Sequence, residues 1–174
     1  APGTVVTPDA ARSIVARNTS PDIGFDASIN PYRGCEHGCV YCYARPGHAF
    51  LGLSPGLDFE TRLFAKMEAP ALLEAELARP GYRPDPIAIG TVTDAWQPVE
   101  RRLRLTRGCL EVFARTRHPV SLITKSSLVE RDLDLLAPMA RDGLASAMVT
   151  VTTLDPALSR ILEPRAPAPW RRLE

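Results

Sequence analysis

Three of the four cysteines in this chain lie close together in the stretch GCEHGCVYC, at Cys35, Cys39 and Cys42. Thiolates are soft ligands that select zinc, copper(I) or iron-sulfur clusters rather than hard cations. In a reducing compartment, clustered cysteines indicate metal or cluster ligation and not a disulfide framework. The spacing, with three residues in the first gap and two in the second, therefore predicts a metal centre held by these side chains.

Two kinds of centre remain open from the residues alone. A structural zinc site usually has four protein ligands, often as two separated pairs, and the sequence has no second cysteine pair. His37 and His48 are candidate fourth ligands, although His37 lies between two of the cysteines. A 4Fe-4S cluster held by three cysteines would keep one iron free for a substrate or cofactor, and the spacing differs from the C-x2-C-x2-C run of bacterial ferredoxins. Tyr41 would offer an aromatic face to a flat ligand beside such a cluster.

The composition limits the class of protein. The chain has 174 residues, 45% of them hydrophobic, and a formal net charge of +1, which predicts one globular domain without overall attraction to nucleic acid. No stretch reaches the roughly 18 apolar residues of a membrane span and no signal peptide opens the chain, so we expect a cytoplasmic protein without a membrane partner. One basic group could be a local nucleic-acid contact or a solvated helix face: Arg101, Arg102, Arg104 and Arg107.

Four apolar runs predict the strands that position these residues. One begins at Phe25, and three more cover residues 87–92, 120–124 and 146–151. These three runs consist almost entirely of apolar and β-branched residues, which is typical of strands covered on both faces of a sheet. They alternate with helical patterns, which predicts an α/β fold with a parallel sheet. Ligands bind at the carboxyl ends of such strands. A complete eight-unit barrel takes about 250 residues, so we expect part of a barrel or an open sheet.

Smaller expectations concern the remaining segments. Residues 1–25 read as an extended N-terminal leader, residues 26–174 as the core domain, and residues 58–67 as an extended segment. Cys109 should be buried on the apolar face of a helix, and Pro138 should kink or divide the next helix. We expect the chain to be a piece of a longer protein.

The cysteine motif carries a resemblance to a known superfamily. CEHGCVYC resembles the C-x3-C-x-aromatic-C signature of radical S-adenosylmethionine (radical SAM) enzymes, and NPYRGCEHGCVYCYAR, TDAWQPVE, ITKS and LEPRAP resemble the spore photoproduct lyase-like branch, also called DNA repair photolyase-like. The resemblance extends from about Asn30 to the end. It implies a partial (β/α)6 TIM-type barrel, of which about four βα units are present, with its last strands beyond Glu174.

The same resemblance implies a chemistry. A 4Fe-4S cluster on Cys35, Cys39 and Cys42 would bind S-adenosylmethionine through its free iron and cleave it reductively, producing a 5'-deoxyadenosyl radical that abstracts a hydrogen atom. An external electron donor of the flavodoxin or ferredoxin type is implied as a partner. The residues that match the family's cofactor-binding positions are Tyr41, Thr93, Lys125, Thr150 and Arg165.

Each of these matches has a plainer alternative. The resemblance gives Thr93 its cofactor role with Asp94 and Glu100 as hydrogen-bonding support, whereas Thr93 and Asp94 could instead form a simple strand-end turn capped by the aspartate. Lys125 could be a solvated side chain, Thr150 a strand residue chosen for β propensity, and Arg165 the partner of Glu163 in a structural ion pair.

The sequence also departs from the family. Many members have Gly-Gly-Glu at the end of the second strand, which is absent here, and Val92 stands where spore photoproduct lyases have a hydrogen-donating cysteine. The catalytic residue and the substrate therefore stay unassigned, with a nucleic acid as one substrate class that the resemblance implies. The alternative function is a non-catalytic iron-sulfur or zinc-binding module.

Overall fold

The computed structural model describes residues 3–174, and its strands form two sheets. The strands are β1 (Val5–Pro8), β2 (Val15–Arg17), β3 (Ala27–Ile29), β4 (Tyr32–Arg33), β5 (Arg62–Ala65), β6 (Ile87–Ile89), β7 (Val120–Thr124) and β8 (Ala145–Val149). The α-helices are α1 (Asp58–Thr61), α2 (Ala69–Leu77), α3 (Glu100–Leu103), α4 (Leu105–Thr116), α5 (Leu133–Arg141), α6 (Pro156–Leu162) and α7 (Pro169–Leu173). Two 3-10 helices cover Arg45–Leu51 and Ser127–Asp132.

The larger sheet has the strand order β2-β3-β6-β7-β8. Strands β3, β6, β7 and β8 are parallel, whereas β2 pairs antiparallel with β3. This arrangement confirms the predicted α/β class. Within residues 3–174 the sheet does not close into a barrel, because β2 and β8 are its edges.

Buried apolar side chains fix the sheet against its helices. Ile29, Ile87 and Ile89 are almost completely buried on the central strands, and Cys109 and Phe113 of α4 are fully buried against them. Helix α4 packs between α2 and α5. Burying an aliphatic or aromatic side chain contributes about 1.5–3 kcal/mol, so this core is the main source of stability for the edge that carries the site.

Strand β6 ends three residues before the predicted boundary at Val92. Gly90 adopts a φ of 86°, and a Cβ at this position would overlap the carbonyl oxygen of Ile123 on β7. Only glycine tolerates both the left-handed backbone and the close approach. The chain therefore leaves the sheet at Gly90, and residues 90–94 form a loop at the carboxyl edge.

Strand β8 does not have the predicted cover on both faces. Met148 is 64% exposed and Val149 is 44% exposed, so within the described residues this edge strand is not covered on both faces. Its apolar composition therefore does not mark a buried strand in the described chain.

Three other segments differ from the expectation or refine it. Residues 58–67 begin with helix α1 before strand β5, so the extended prediction was wrong for their first turn. Pro138 lies inside α5 without dividing it. The predicted leader contributes β1, which pairs with β5, and β2, which pairs with β3.

The smaller sheet has the order β1-β5-β4. Its strand β4 directly precedes the cysteines in the chain. Strand β4 ends at Arg33, and residues 34–43, here called the cysteine loop, follow it. The sheet encloses its own small core of Tyr32, Leu63 and Ala65. It therefore forms the base on which the cysteine loop is built.

Candidate metal and cofactor site

The cysteine loop is held by backbone hydrogen bonds at its start and inside its turns. Cys35 N donates to Phe59 O (2.9 Å), Gly38 N to Cys35 O (3.3 Å) and Cys42 N to Cys39 O (3.2 Å). Its turns keep the three cysteines on one short segment that folds back on itself.

Two arginines hold the outer side of the loop. Arg45 donates from Nε to Cys39 O (2.9 Å) and from its second terminal nitrogen to Gly38 O (3.0 Å), and Arg165 donates to Glu36 O. Both guanidinium groups also pair with Glu60. Burial of Glu60 opposes its ionisation, but the hydrogen bonds from the two arginines outweigh it and lower the pKa of Glu60.

A cavity of about 520 Å³ lies between the cysteine loop and the carboxyl ends of the parallel strands. The carboxyl ends of the strands are where the sequence predicts that ligands bind. The residues that line the cavity are Ile23, Phe25, Cys35, His37, Cys39, Tyr41, Cys42, Tyr43, residues 90–94, Ile123, Thr124, Lys125 and Thr150.

The three motif cysteines are free thiols that line this cavity together. Burial raises the pKa of Cys35, and the nearby charge of Asp94 raises it further. Burial also raises the pKa of Cys39, although the Lys125 ammonium acts in the opposite direction. Within residues 3–174, no group of three or more His, Cys, Asp or Glu side chains forms a preassembled metal site. The soft donors on one wall nevertheless fit a thiolate-bound centre in their chemistry.

Tyr41 is fixed at the cavity wall by its hydroxyl. The hydroxyl donates to Glu163 and lies 3.2 Å from Thr152 Oγ1. Glu163 is buried and pairs with Arg172 at 2.6 Å. The Lys125 ammonium lies 5.8 Å from the centroid of the Tyr41 ring. The ring is therefore held between a buried ion pair and the cation at the end of β7.

Burial and the hydrogen bond to Glu163 raise the pKa of Tyr41. Burial of Glu163 opposes its ionisation, but hydrogen bonds from Thr152, Tyr41 and Arg172 outweigh it and lower the pKa of Glu163. At neutral pH the pair is thus a phenol that donates to a carboxylate.

Asn30 shapes the loop after β6, and the sequence analysis missed it. Its Oδ1 accepts from Val92 N (3.1 Å) and Thr93 N (3.4 Å), and its Nδ2 donates to Thr91 Oγ1 (3.3 Å). Lys66 Nζ donates to the Asn30 carbonyl (2.9 Å). An asparagine directly after a buried strand is the available signal, since its short amide can bind neighbouring backbone groups.

Asp94 accepts hydrogen bonds from the end of β7. Its Oδ1 accepts from Thr124 Oγ1 (2.7 Å) and Trp96 N (2.9 Å), and its Oδ2 accepts from Lys125 N (2.7 Å). His37 Nδ1 lies 3.3 Å from the same Oδ2. Burial opposes ionisation, but His37 and these donors outweigh it and lower the pKa of Asp94 to about 2.

The structure brings most of the predicted site residues together. Tyr41, Thr93, Lys125 and Thr150 line the same cavity as the three cysteines. Arg165 is not among the lining residues, and its partner is Glu60 instead of Glu163. Whether any of these residues binds a cofactor stays a prediction.

Other singled-out residues lie elsewhere. Glu100 is fully buried and accepts hydrogen bonds from Thr106 N (3.1 Å) and Arg131 (2.9 Å), so it supports the start of α4. His48 Nε2 contacts Arg62 O at 2.9 Å. Arg107 pairs with Asp132 and Asp134 at 3.0 and 2.7 Å, so its charge is already neutralised.

Comparisons with known proteins give relatives of greater length. No protein-family model matches the chain. Uncharacterized proteins of Mycobacterium bovis and Mycobacterium tuberculosis are each 41% identical over 149 residues, which cover 86% of this chain and 44% of the relative. An uncharacterized protein of Methanocaldococcus jannaschii is 28% identical over 146 residues, covering 84% of this chain and 52% of the relative. The chain thus spans about half the length of the curated relatives that it matches.

One solved structure is similar in fold. A spore photoproduct lyase complexed with dinucleoside spore photoproduct matches with a TM-score of 0.67 and 14% sequence identity, over 97% of this chain and 45% of that chain. At this identity the similarity shows the α/β fold alone. Across the described residues, every helix is too short or too polar to cross a bilayer.

Proposed function

We propose that residues 26–174 form the cofactor-binding part of a radical SAM enzyme of the lyase-like branch, built as a partial (β/α)6 TIM-type barrel. The observation that carries the proposal is the cavity at the carboxyl strand ends, which three C-x3-C-x2-C thiols share with Tyr41, Thr93, Lys125 and Thr150. The fold similarity to spore photoproduct lyase gives independent support at the level of architecture.

Cys35, Cys39 and Cys42 would hold three irons of a 4Fe-4S cluster. When bound, the cluster and S-adenosylmethionine supply a reductive cleavage that yields methionine and a 5'-deoxyadenosyl radical. Because burial raises the pKa of Cys35 and of Cys39, both thiols must release protons when they become ligands.

The cavity also offers groups suited to the remaining parts of the cofactor. The Lys125 ammonium would bind a carboxylate or ribose oxygen as a point charge. Thr93 donates its hydroxyl proton to Tyr32 O (3.3 Å), so its oxygen can accept from an amino group. Tyr41, held by Glu163, would present its ring to the adenine, and Thr150 would meet the ribose.

Arg165 could bind the cofactor only if its guanidinium group changes partners. It would pair with the methionyl carboxylate through its two-nitrogen fork. This role requires the guanidinium to leave Glu60 and the Glu36 carbonyl. Lys125 already lines the cavity, so it could bind the cofactor without leaving another partner.

The substrate stays open within this proposal. Val92 lines the cavity and is 46% exposed, and by the resemblance of the motifs it stands where spore photoproduct lyases have a cysteine. A valine cannot donate a hydrogen atom as a thiol does, so repair of a thymine dimer by that route is not proposed. A nucleic acid remains a candidate substrate, and a flavodoxin- or ferredoxin-type protein in the cytoplasm would supply the electron.

The test is assembly of the centre in the full-length protein. Anaerobic reconstitution with iron and sulfide should give a brown protein with about four irons and four sulfides per chain. Alanine at Cys35, Cys39 or Cys42 should each abolish this, whereas Cys109→Ala, in the helix core, should retain it. Stoichiometric zinc in the anaerobically purified protein, with no uptake of iron, would instead favour the non-catalytic module.

A further inference from the structure

A single buried carboxylate joins three parts of the cavity wall. The Asp94 side chain is 8% exposed. It accepts from Trp96 N in its own loop and from Thr124 Oγ1 and Lys125 N at the end of β7. Its fourth neighbour is His37 of the cysteine loop, whose Nδ1 lies 3.3 Å away. Asp94 is thus the point where the cysteine loop meets the strand end that carries Lys125.

His37 has an equally specific position. Its side chain is 2% exposed and lines the cavity between Cys35 and Cys39. Its Nδ1 is completely buried and makes no well-aligned hydrogen bond within residues 3–174, and the Asp94 carboxylate lies at ion-pair distance from it. A buried ring nitrogen without a hydrogen-bond partner is costly, and the charge of the Asp94 carboxylate at 3.3 Å offsets that cost.

We propose that Asp94 and His37 act as a positioning pair that locks the cysteine loop onto the ends of β6 and β7. The pair thereby sets the separation between the three thiols and the Lys125 ammonium. The lock is a property of the chain without any bound group. Only its consequence for cofactor binding rests on the proposed function.

The other supports of the loop act at different places. Arg45 and Arg165 hold its outer side through Glu60, and Gln97 Nε2 holds its first residue through Gly34 O (3.1 Å). Tyr43 reaches Thr91 O, but this side chain is 75% exposed. The backbone of the middle of the loop is also held on its α6 side, since Arg165 N donates to His37 O (3.2 Å) and Val40 N donates to Leu162 O (2.9 Å). The His37 side chain is the buried contact that joins the loop to Asp94 and, through Asp94, to the end of β7. Its loss should therefore loosen the middle of the loop from β6 and β7 while these other supports remain.

Changes at either partner remove this lock in a defined way. Asp94→Asn replaces one acceptor oxygen with an NH2 group. Because both oxygens of Asp94 accept from N–H or O–H donors, the NH2 group faces a donor in either orientation of the amide, and hydrogen bonds are lost. His37→Leu removes the ring nitrogen but keeps an apolar side chain. His37→Asn restores a donor close to the position of Nδ1, so it is the rescuing variant. Asp142→Asn, at an exposed ion pair with Arg117, is the matched surface control.

The experiment is hydrogen–deuterium exchange in the full-length, metal-free protein, read by mass spectrometry. In Asp94→Asn and His37→Leu, amides in residues 34–43 should exchange about tenfold faster, since hydrogen bonds to charged groups have this order of effect. Amides of α4 should not change, and His37→Asn and Asp142→Asn should resemble the unsubstituted protein. If Asp94→Asn does not fold, His37→Leu and His37→Asn decide the question alone.

Two results would overturn the proposal. Unchanged exchange in residues 34–43 would mean that the pair does not hold the loop. Equal acceleration in the loop and in α4 would mean that the pair only supports the global fold. Because no metal is present, failure of the proposed function would leave this result intact. In reconstituted protein, the same variants should bind S-adenosylmethionine about tenfold more weakly if both proposals hold.

Discussion

The Tyr41 hydroxyl donates a hydrogen bond to the buried carboxylate of Glu163, 122 residues further along the chain. The contact joins the middle of the cysteine motif to the end of α6, where Glu163 also pairs with Arg172. An aromatic residue that the motif alone would assign to ligand stacking is therefore also part of the protein's own hydrogen-bond network.

Removing this hydroxyl should destabilise the fold. In Tyr41→Phe the ring remains beside Lys125, but the buried Glu163 loses a donor, which should lower the free energy of unfolding by about 1–2 kcal/mol. Urea denaturation measures it. Tyr43→Phe is the control, because its hydroxyl bond lies on the exposed side and should contribute less than about 0.5 kcal/mol. Equal losses in the two variants would contradict a structural role for the hydrogen bond from Tyr41 to the buried Glu163.

Lys125 and Arg165 should separate cofactor binding from loop support. Lys125→Met removes a cation that lines the cavity, and should weaken S-adenosylmethionine binding by about tenfold in the reconstituted protein. Arg165→Lys should mainly lower the melting temperature, since its fork binds Glu60 and the Glu36 carbonyl. Isothermal titration and thermal denaturation give the two readouts. A larger loss of affinity in Arg165→Lys than in Lys125→Met would show that Arg165 reaches the cofactor.

Glu100 does not line the cavity, but it should contribute strongly to the stability of the fold. Glu100→Gln removes a fully buried charge that accepts from the first amides of α4 and pairs with Arg131. Breaking a buried ion pair costs about 3–5 kcal/mol. The exposed pair of Glu111 with Arg107 provides the control, since Glu111→Gln should cost less than about 1 kcal/mol. Similar unfolding free energies for the two variants would refute the assignment.

Asp132 should make the free energy of unfolding decrease at acid pH. It is fully buried, and although burial opposes ionisation, hydrogen bonds from Arg131, Trp96 and Arg107 outweigh it and lower the pKa of Asp132. Because the pKa of Asp132 is lower in the folded state than its ordinary value of about 3.9 in the unfolded state, the ionised carboxylate stabilises the fold at pH values above about 3.9. This stabilisation is lost as the pH falls below that value and through the folded-state pKa.

The stability gap between the unsubstituted protein and Asp132→Asn should therefore be largest near neutral pH and shrink below about pH 4. Urea denaturation from neutral pH down to about pH 3 measures this gap. Other carboxyl groups titrate in both proteins and cancel in the comparison. A gap that stays constant over this range would mean that the charge of Asp132 does not stabilise the fold.

The α/β class and the parallel strands could be predicted because their signals are local. Apolar runs such as Val120–Thr124 coincide with strands, and the helical spacing around Cys109 places it in the core as expected. The end of β6 could not be predicted, because it depends on the approach of Gly90 to Ile123 on another strand. The exposure of β8 likewise depends on which elements from elsewhere in the chain cover its faces.

The site divides in the same way. The cysteine spacing identifies the thiols from sequence alone. The family resemblance, together with the rule that ligands bind at carboxyl strand ends, selects Thr93, Lys125 and Thr150. Asn30 and the pairing of Arg165 with Glu60 were missed, since both depend on contacts between residues distant in sequence. A charge pattern does not say which of several acidic residues an arginine will meet.

The most direct test of the central claim is formation of 5'-deoxyadenosine. The reconstituted full-length protein, reduced with dithionite in the presence of S-adenosylmethionine, should produce 5'-deoxyadenosine and methionine, detected by liquid chromatography and mass spectrometry. Alanine at Cys35, Cys39 or Cys42 should remove both products. A protein that carries its full complement of iron and sulfide but gives no 5'-deoxyadenosine above the protein-free control would contradict the assignment.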